Sequence, residues 1–118
     1  MSCSSLEKRI HNVLCGAGVR FQQEYSFPSL VGRSGRRLRF DFAVFGDDGS
    51  IDYLIEAQGR QHYVPVDRFG GDRGLYYQRI NDAAKRRWCI LHGIRLVTIP
   101  YYDYDKIDYD YILESARG

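Results

Sequence analysis

Two strand-like stretches joined by a turn constrain this chain more than any other feature of its sequence. Residues 37–45 alternate in character, as a β-strand with one buried face does. Gly-Asp-Asp-Gly at 46–49 is a turn signal, and residues 51–58 form a second strand pattern that ends at Gly59. The sequence therefore predicts a β-hairpin. One face of its first strand carries Leu38, Phe40, Phe42 and Val44, and the other carries Arg39, Asp41, Ala43 and Phe45.

The turn also predicts which residues of the hairpin face each other. A two-residue Asp48-Gly49 loop pairs the residues on either side of it, and counting back places Asp41 opposite Glu56, with Cβ atoms about 4.5–5.5 Å apart. Both carboxylates stand among apolar residues, where a charge is costly unless it is paired, solvated or bound to a metal. A divalent cation would reverse their repulsion, and magnesium prefers such oxygen ligands. Gln58 projects from the same face as Glu56.

The first third of the chain predicts a helix followed by a strand. Ser4 and Glu7 form a capping box, and the run of apolar residues at helical spacing after them stops at Gly16 and Gly18. A short strand over residues 21–27 ends at Pro28. The Gly- and Arg-rich residues 30–37 are then a loop or a hairpin tip.

The second half adds two helices and a strand. Residues 75–92 predict a helix with a buried stripe, made of Tyr77, Ile80, Ala84, Trp88 and Leu91. Residues 64–74 before it are read as an irregular loop. The apolar residues 94–99 predict a strand in the centre of the sheet, and residues 105–115 a last helix. This order predicts a single α/β domain over residues 1–118, with a mixed central β-sheet flanked by helices.

Composition is that of a globular chain, with 44% hydrophobic and 27% charged residues. No apolar stretch is long enough to span a bilayer, and the start lacks the order of a signal peptide. The cysteines, Cys3, Cys15 and Cys89, form no CxxC pair and are expected to be free thiols. We therefore expect a soluble, cytoplasmic protein.

Charge is unevenly distributed, with +5 over residues 1–100 and −3 over residues 101–118. The arginines cluster in two places, which suits contact with a phosphate backbone. A solvated basic surface is the alternative interpretation. The candidate nucleic-acid contacts are Arg33, Arg36, Arg37, Arg39 and Arg86.

The hairpin sequence resembles the PD-(D/E)XK nuclease superfamily, and most nearly its very-short-patch-repair-like and phage homing endonuclease branches. The resemblance lies in Arg39-Phe-Asp41-Phe and in Leu54-Ile-Glu56-Ala-Gln58-Gly-Arg-Gln-His62-Tyr. In those branches, an Asp in one strand precedes Glu-x-Lys or Glu-x-Gln in the next, often followed by Gly-x-x-His. Gln58 stands where the superfamily usually has Lys.

Later residues extend this resemblance to roughly residues 6–100. Asn81-Asp82-Ala-Ala-Lys85 and Gly93-Ile-Arg-Leu match the helix and strand that commonly follow in that branch. The resemblance implies a restriction-endonuclease-like core and a Mg²⁺-dependent endodeoxyribonuclease, with Mn²⁺ able to substitute. Double-stranded or branched DNA would be the substrate, and the host a bacterial or phage-infected cell. Whether the protein forms a homodimer is open.

The resemblance also assigns roles to individual residues. Asp41, Glu56 and the Ala57 carbonyl would bind the metal, and Gln58 would orient a water. Lys85 would contact the scissile phosphate, His62 would bind a phosphate or carry a proton, and Asp82 would fix His62 or a metal-bound water. Glu7 matches a glutamate found in the N-terminal helix of many relatives.

Several of these roles have a simpler alternative, and for Asp41 and Glu56 it is a hairpin that is exposed on one face. The capping box accounts for Glu7, packing accounts for His62, and a surface ion pair accounts for Asp82 with Lys85. Gln78, Asp82 and Lys85 are expected on the helix face opposite the buried stripe. At the level of the whole protein, the alternatives are a catalytically inactive DNA-binding relative and an interaction domain that does not bind nucleic acid.

Overall fold

The computed structural model describes residues 4–118, and its four strands form one mixed sheet. The strands lie side by side in chain order: β1 (Arg20–Val31), β2 (Arg37–Phe45), β3 (Ile51–Gln58) and β4 (Arg95–Pro100). Strand β2 is antiparallel to both of its neighbours, β1 and β3, whereas β3 and β4 are parallel to each other. The predicted α/β class with a mixed sheet is therefore confirmed. Cys3 lies outside the described residues, and Cys15 and Cys89 are free thiols.

Three α-helices and three short 3-10 helices accompany the sheet. The α-helices are α1 (Ser5–Ala17), α2 (Gly71–His92) and α3 (Tyr109–Arg117), and the 3-10 helices are Arg60–His62, Asp67–Phe69 and Tyr101–Lys106. The start of α1 is the predicted one, because the Glu7 backbone N–H donates to Ser4 Oγ at 3.1 Å. No helix within residues 4–118 has the length and apolar character needed to cross a membrane.

The helices divide the core into two clusters, one on each face of the sheet. The first face, called here the α1/α3 face, packs Leu6, Ile10 and Leu14 of α1 and Ile112 of α3 against apolar strand residues. The second, called here the α2 face, packs Trp88 and Cys89 of α2 against the sheet. Its strand residues include Leu30, Phe40, Ala43 and Leu54.

Strands β1 and β2 change faces together halfway along their length. Phe42 belongs to the α1/α3 face, whereas Phe40 belongs to the α2 face, so the predicted shared face of Leu38, Phe40, Phe42 and Val44 is wrong. The change occurs at Asp41, which the register places opposite Glu24. Glu24 has a left-handed backbone (φ 58°), which breaks the alternation of side chains.

The β2–β3 turn differs from the predicted two-residue loop. The Gly46 N–H donates to the Ser50 carbonyl at 2.9 Å, so the loop has three residues, with Gly49 in the left-handed region (φ 83°). The ladder pairs Phe45 with Ile51 and then Val44 with Tyr53. Asp52 has no residue opposite it, and this β-bulge offsets the extra loop residue. The register beyond it pairs Phe42 with Ile55, where the ladder ends, so Asp41 and Glu56 are near each other but do not form the predicted cross-strand pair.

Other predicted boundaries also need correction. Strand β1 continues past Pro28 to Val31, because its register shifts between Ser26 and Val31 and this edge strand does not need the missing N–H. The helix predicted from residue 75 begins at Gly71. The last helix begins at Tyr109 rather than at residue 105, after the 3-10 helix that follows β4.

The structure explains why position 74, in the first turn of α2, is a glycine. A Cβ atom there would lie 1.8 Å from the Phe69 carbonyl oxygen, which no adjustment of a side chain could relieve. Glycine therefore allows the preceding loop to pack on the helix, and the helix extends further toward its N-terminus than the pattern predicts.

Strand β4 is an edge strand among residues 4–118, and its predicted central position is wrong. Its apolar character has another cause. Val97 and Ile99 pack on the α1/α3 face and Leu96 on the α2 face, so helices cover both sides of the strand.

Candidate active site

Asp41 lies where β2 and β3 separate. The paired ladder of these strands ends at Phe42 and Ile55, and the Ala57 N–H donates instead to Asp41 Oδ2 at 2.7 Å. Burial is the main cause that raises the pKa of Asp41 to about 6, and the charges of Glu7 and Glu24 contribute. The Ala57 hydrogen bond opposes this increase. Asp41 is thus a carboxyl group held in an unfavourable environment.

Glu56 is buried on the α2 face and forms an ion pair. It is only 4% exposed, and Lys85 Nζ donates to its Oε1 at 3.0 Å. Burial and the charge of Asp41 raise the pKa of Glu56, while Lys85 opposes the increase. The Lys85 ammonium also lies 5.6 Å from the centre of the Phe40 ring. A buried charge pair of this kind gives little net stability, because desolvation offsets the attraction.

The face of α2 that meets the sheet is not the predicted one. Leu91 is 75% exposed and Tyr77 is also exposed, so the predicted buried stripe is wrong at both ends. Trp88 is buried as predicted, and Lys85 and Cys89, which the stripe did not include, are buried with it. Gln78, Asp82 and Lys85 therefore lie on the inward side of the helix, not opposite it.

His62 and Asp82 form a second polar pair on this face. His62 Nδ1 lies 3.0 Å from Asp82 Oδ2, and both side chains are largely buried. Gln78 Nε2 donates to Asp82 Oδ1 at 3.2 Å, so both carboxylate oxygens have partners. This arrangement holds the imidazole by one nitrogen and leaves Nε2 to face other groups. The negative charge of Asp82 also contributes to the raised pKa of Glu56.

Gln58 contacts a residue that the sequence did not indicate. The Tyr63 hydroxyl donates to Gln58 Oε1 at 2.7 Å, so Tyr63 fixes the orientation of the amide. Tyr63 follows His62 directly in the chain, and a single tyrosine gives no sequence signal of such a role. The NH₂ group of Gln58 is then the end that can donate to a water or a phosphate oxygen.

Glu7 and Glu24 extend the negative charge around Asp41. Glu7 caps α1 and is also close enough to Asp41 to raise its pKa, so the capping role and proximity to the site coexist. Glu24 contributes to the same increase and forms an ion pair with Arg39 at 3.2 Å. Glu24 is not among the candidates named from the sequence, because the strand pattern around it does not reveal its left-handed backbone.

The five candidate nucleic-acid-binding arginines are exposed, but two of them already contact another side chain of the protein. Arg39 pairs with Glu24, and the Arg33 guanidinium lies 4.6 Å from the centre of the Tyr77 ring, which ties the β1–β2 hairpin to α2. Arg36 and Arg37 lie at or next to the hairpin tip, and Arg86 lies on the outer side of α2.

Among residues 4–118, no three His, Cys, Asp or Glu side chains are grouped so that they could hold a metal ion by themselves. A clustered zinc-type site is therefore not present in that part of the chain. Magnesium commonly uses one or two carboxylates and completes its shell with water and phosphate oxygens.

Comparison with known proteins gives one informative relative. No protein-family model and no solved structure matches the chain. Over 86 residues the chain is 44% identical to uncharacterized protein 094L of Frog virus 3 (isolate Goorha). This stretch covers 71% of the chain and 53% of the viral protein, so the chain spans about half the length of the curated relative it matches. That relative has no assigned activity, and a functional argument must come from the site itself.

Proposed function

We propose that this protein is a metal-dependent DNA endonuclease with a restriction-endonuclease-like core. The observation that carries the proposal is that Asp41 and Glu56 lie near each other at the point where β2 and β3 separate. Lys85 donates a hydrogen bond to Glu56 at the same place. A carboxylate pair beside a lysine, at the end of a sheet, is a suitable arrangement for phosphodiester hydrolysis.

The donor set fits a magnesium ion better than a zinc ion. Asp41 and Glu56 supply hard carboxylate oxygens, and the carbonyl of Ala57, the residue after Glu56, would be a further ligand. The charge of Asp41 contributes to the raised pKa of Glu56, and the charges of Glu7 and Glu24 contribute to that of Asp41, so a cation at this place would offset a repulsion that acts on both carboxyl groups. A bound Mg²⁺ or Mn²⁺ would lower the pKa of a water and neutralise charge at the phosphorus.

The residues of the α2 face would then position the phosphate and the water. Lys85 uses one of its three N–H donors on Glu56, and the other donors can reach a phosphate oxygen. His62, held by Asp82 through Nδ1, can carry a proton at Nε2. Gln58, held by Tyr63, can orient a water but cannot supply the charge of the usual lysine.

The test is cleavage of supercoiled plasmid DNA in Mg²⁺ and in Mn²⁺. Asp41→Asn and Glu56→Gln keep the shape of the side chain and remove its charge, and we expect each to lower the rate by ~10²- to 10³-fold. Glu114→Gln makes the same chemical change at an exposed position of α3 and serves as the matched control.

Two results would contradict the proposal. One is wild-type protein that cuts neither plasmid, branched nor single-stranded DNA in either metal. The other is cleavage at the wild-type rate by both variants, which would indicate a contaminating nuclease.

A catalytically inactive DNA-binding module is the second candidate. It is favoured by the Glu56–Lys85 pair, which already neutralises the glutamate, and by the neutral Gln58. Such a module would bind DNA equally well with a chelator and after Asp41→Asn, and it would cut in neither metal.

A further inference from the structure

A cleft with aromatic and basic walls opens at the carboxyl ends of β3 and β4. Its volume is about 420 Å³, within the range of small-molecule sites. Its lining includes Leu6, Arg60, Arg68, Phe69, Tyr101 and Tyr104. Of the described residues that line it, none is acidic. We call it the aromatic cleft.

The chain places this cleft next to the candidate active site at three points. Leu6 precedes Glu7, and Arg60 follows Gln58 by two residues. Gln58 also pairs with Pro100 across β3 and β4, so Tyr101 continues from the strand end beside it. The cleft therefore adjoins the end of β3 that follows Glu56 and the first turn of α1 that carries Glu7.

The aromatic rings are accessible and are accompanied by positive charge. Phe69 is 48% exposed, and Tyr101 and Tyr104 are each 39% exposed. The Arg68 guanidinium lies 5.1 Å from the centre of the Phe69 ring, and the Arg9 guanidinium lies 5.4 Å from that of Tyr104. The Arg9 Nε is also buried without a hydrogen-bond partner. Exposed rings beside arginines are the combination that binds single-stranded nucleic acid by stacking its bases.

We infer that the aromatic cleft binds an unpaired base of the DNA strand that is cut, so that the substrate is DNA with a single-stranded segment at the scissile phosphate. The bases of an intact duplex are stacked on each other and offer no free face to such a cleft. Phe69 and Tyr104 would stack on the base, and Arg60 and Arg68 would contact its phosphates. The inference rests on the proposed function, since it names the substrate class of the same site.

The test measures binding in EDTA, where no cleavage is needed. Fluorescence anisotropy compares three substrates: a blunt duplex, the same duplex with an overhang of about six nucleotides, and that overhang with abasic sites. We expect the normal overhang to improve affinity by ~5- to 100-fold, the effect of stacking about one base. The abasic overhang keeps the phosphates and should lose most of this gain.

Variants locate the effect. Phe69→Ala and Tyr104→Ala should each reduce the overhang advantage several-fold and leave blunt-duplex affinity unchanged, while Tyr104→Phe should retain it. Tyr76→Ala is the matched control, because Tyr76 is 62% exposed on α2 and does not line the cleft.

Equal affinity for the normal and abasic overhangs, or an advantage that survives the double variant Phe69→Ala/Tyr104→Ala, would overturn the inference. The two proposals fail separately. A protein without nuclease activity gives no cleavage but can still show the overhang advantage, and a nuclease for intact duplex cuts DNA without showing it.

Discussion

The two faces of the sheet use their buried residues differently. The α1/α3 face is apolar along its length, from Leu6 and Ile10 to Ile112. The α2 face begins in the same way around Trp88, but toward the carboxyl end of β3 it buries Glu56, Lys85 and the His62–Asp82 pair. Buried apolar groups stabilise a fold, whereas buried charges contribute little or oppose it. The comparison indicates that the α1/α3 face contributes more to stability, and that the α2 face holds the residues of the proposed site.

The largest effect on stability is expected from the α1/α3 face. Ile10 is fully buried, and Ile10→Ala should lower the free energy of unfolding by about 2–5 kcal/mol through lost burial and a residual cavity. Urea denaturation at pH 7 measures it. Ile90→Ala is the matched control, because Ile90 is 74% exposed, and its effect should be within about 0.5 kcal/mol. Similar losses at both positions would break the comparison.

On the α2 face, replacing both members of the buried Glu56–Lys85 charge pair with apolar residues should not lower stability, whereas replacing one member should. Lys85→Met leaves Glu56 buried without its partner and should cost about 1–3 kcal/mol, limited by proton uptake at Glu56. The double variant Glu56→Leu/Lys85→Met should recover this loss or exceed wild-type stability. Urea denaturation of the three proteins at pH 7 measures both changes. A double variant less stable than Lys85→Met would mean that the pair itself stabilises the fold.

The smallest effect concerns Asp41 and depends on pH. Its pKa is about 6 in the folded protein and 3.8 ordinarily, so the folded state binds the proton more tightly and stability falls as pH rises from about 4 to about 6. Asp41→Asn removes this loss and should raise the free energy of unfolding by about 1–2 kcal/mol at pH 8 in EDTA. The gain should disappear near pH 4.

Urea denaturation at both pH values, with Asp105→Asn as the exposed control, measures the difference. A variant less stable than wild type at pH 8 would mean that the ionised Asp41 is stabilised by its Ala57 hydrogen bond rather than strained by burial. In that case burial of the ionised Asp41 would not lower the stability of the fold.

The sequence predicted the parts of the fold that depend on local pattern. Strand-forming residues on either side of a turn signal predicted the extents of β2 and β3, and capping residues predicted both ends of α1. The proximity of Asp41 to Glu56 was also predicted, although the turn was wrong and the direct cross-strand pair does not form. Local pattern is sufficient in these places because neighbouring residues alone decide the conformation.

The parts that were missed depend on contacts between distant elements. Hydrophobic periodicity selected Tyr77 and Leu91 for the buried side of α2, but the side that is buried carries Lys85, whose partner is 29 residues away. A pattern of apolar residues cannot predict that a helix buries a charged side chain whose partner lies in a distant strand. The change of face at Asp41 was also missed, because it depends on the left-handed backbone of Glu24 in the neighbouring strand. Glycine is the residue that usually indicates such a backbone in a sequence, and Glu24 is not a glycine.

The bulge at Asp52 has a consequence for how related chains can vary in length. A loop shortened from three residues to two can still close the Gly46–Ser50 pair, and loss of the bulged residue leaves Val44 opposite Tyr53. Both changes lie between the turn and the Val44–Tyr53 pair, so the register that continues toward Glu56 stays the same. Homologues that keep both acids should therefore vary in length at the loop or at the bulge, and not between the bulge and Glu56.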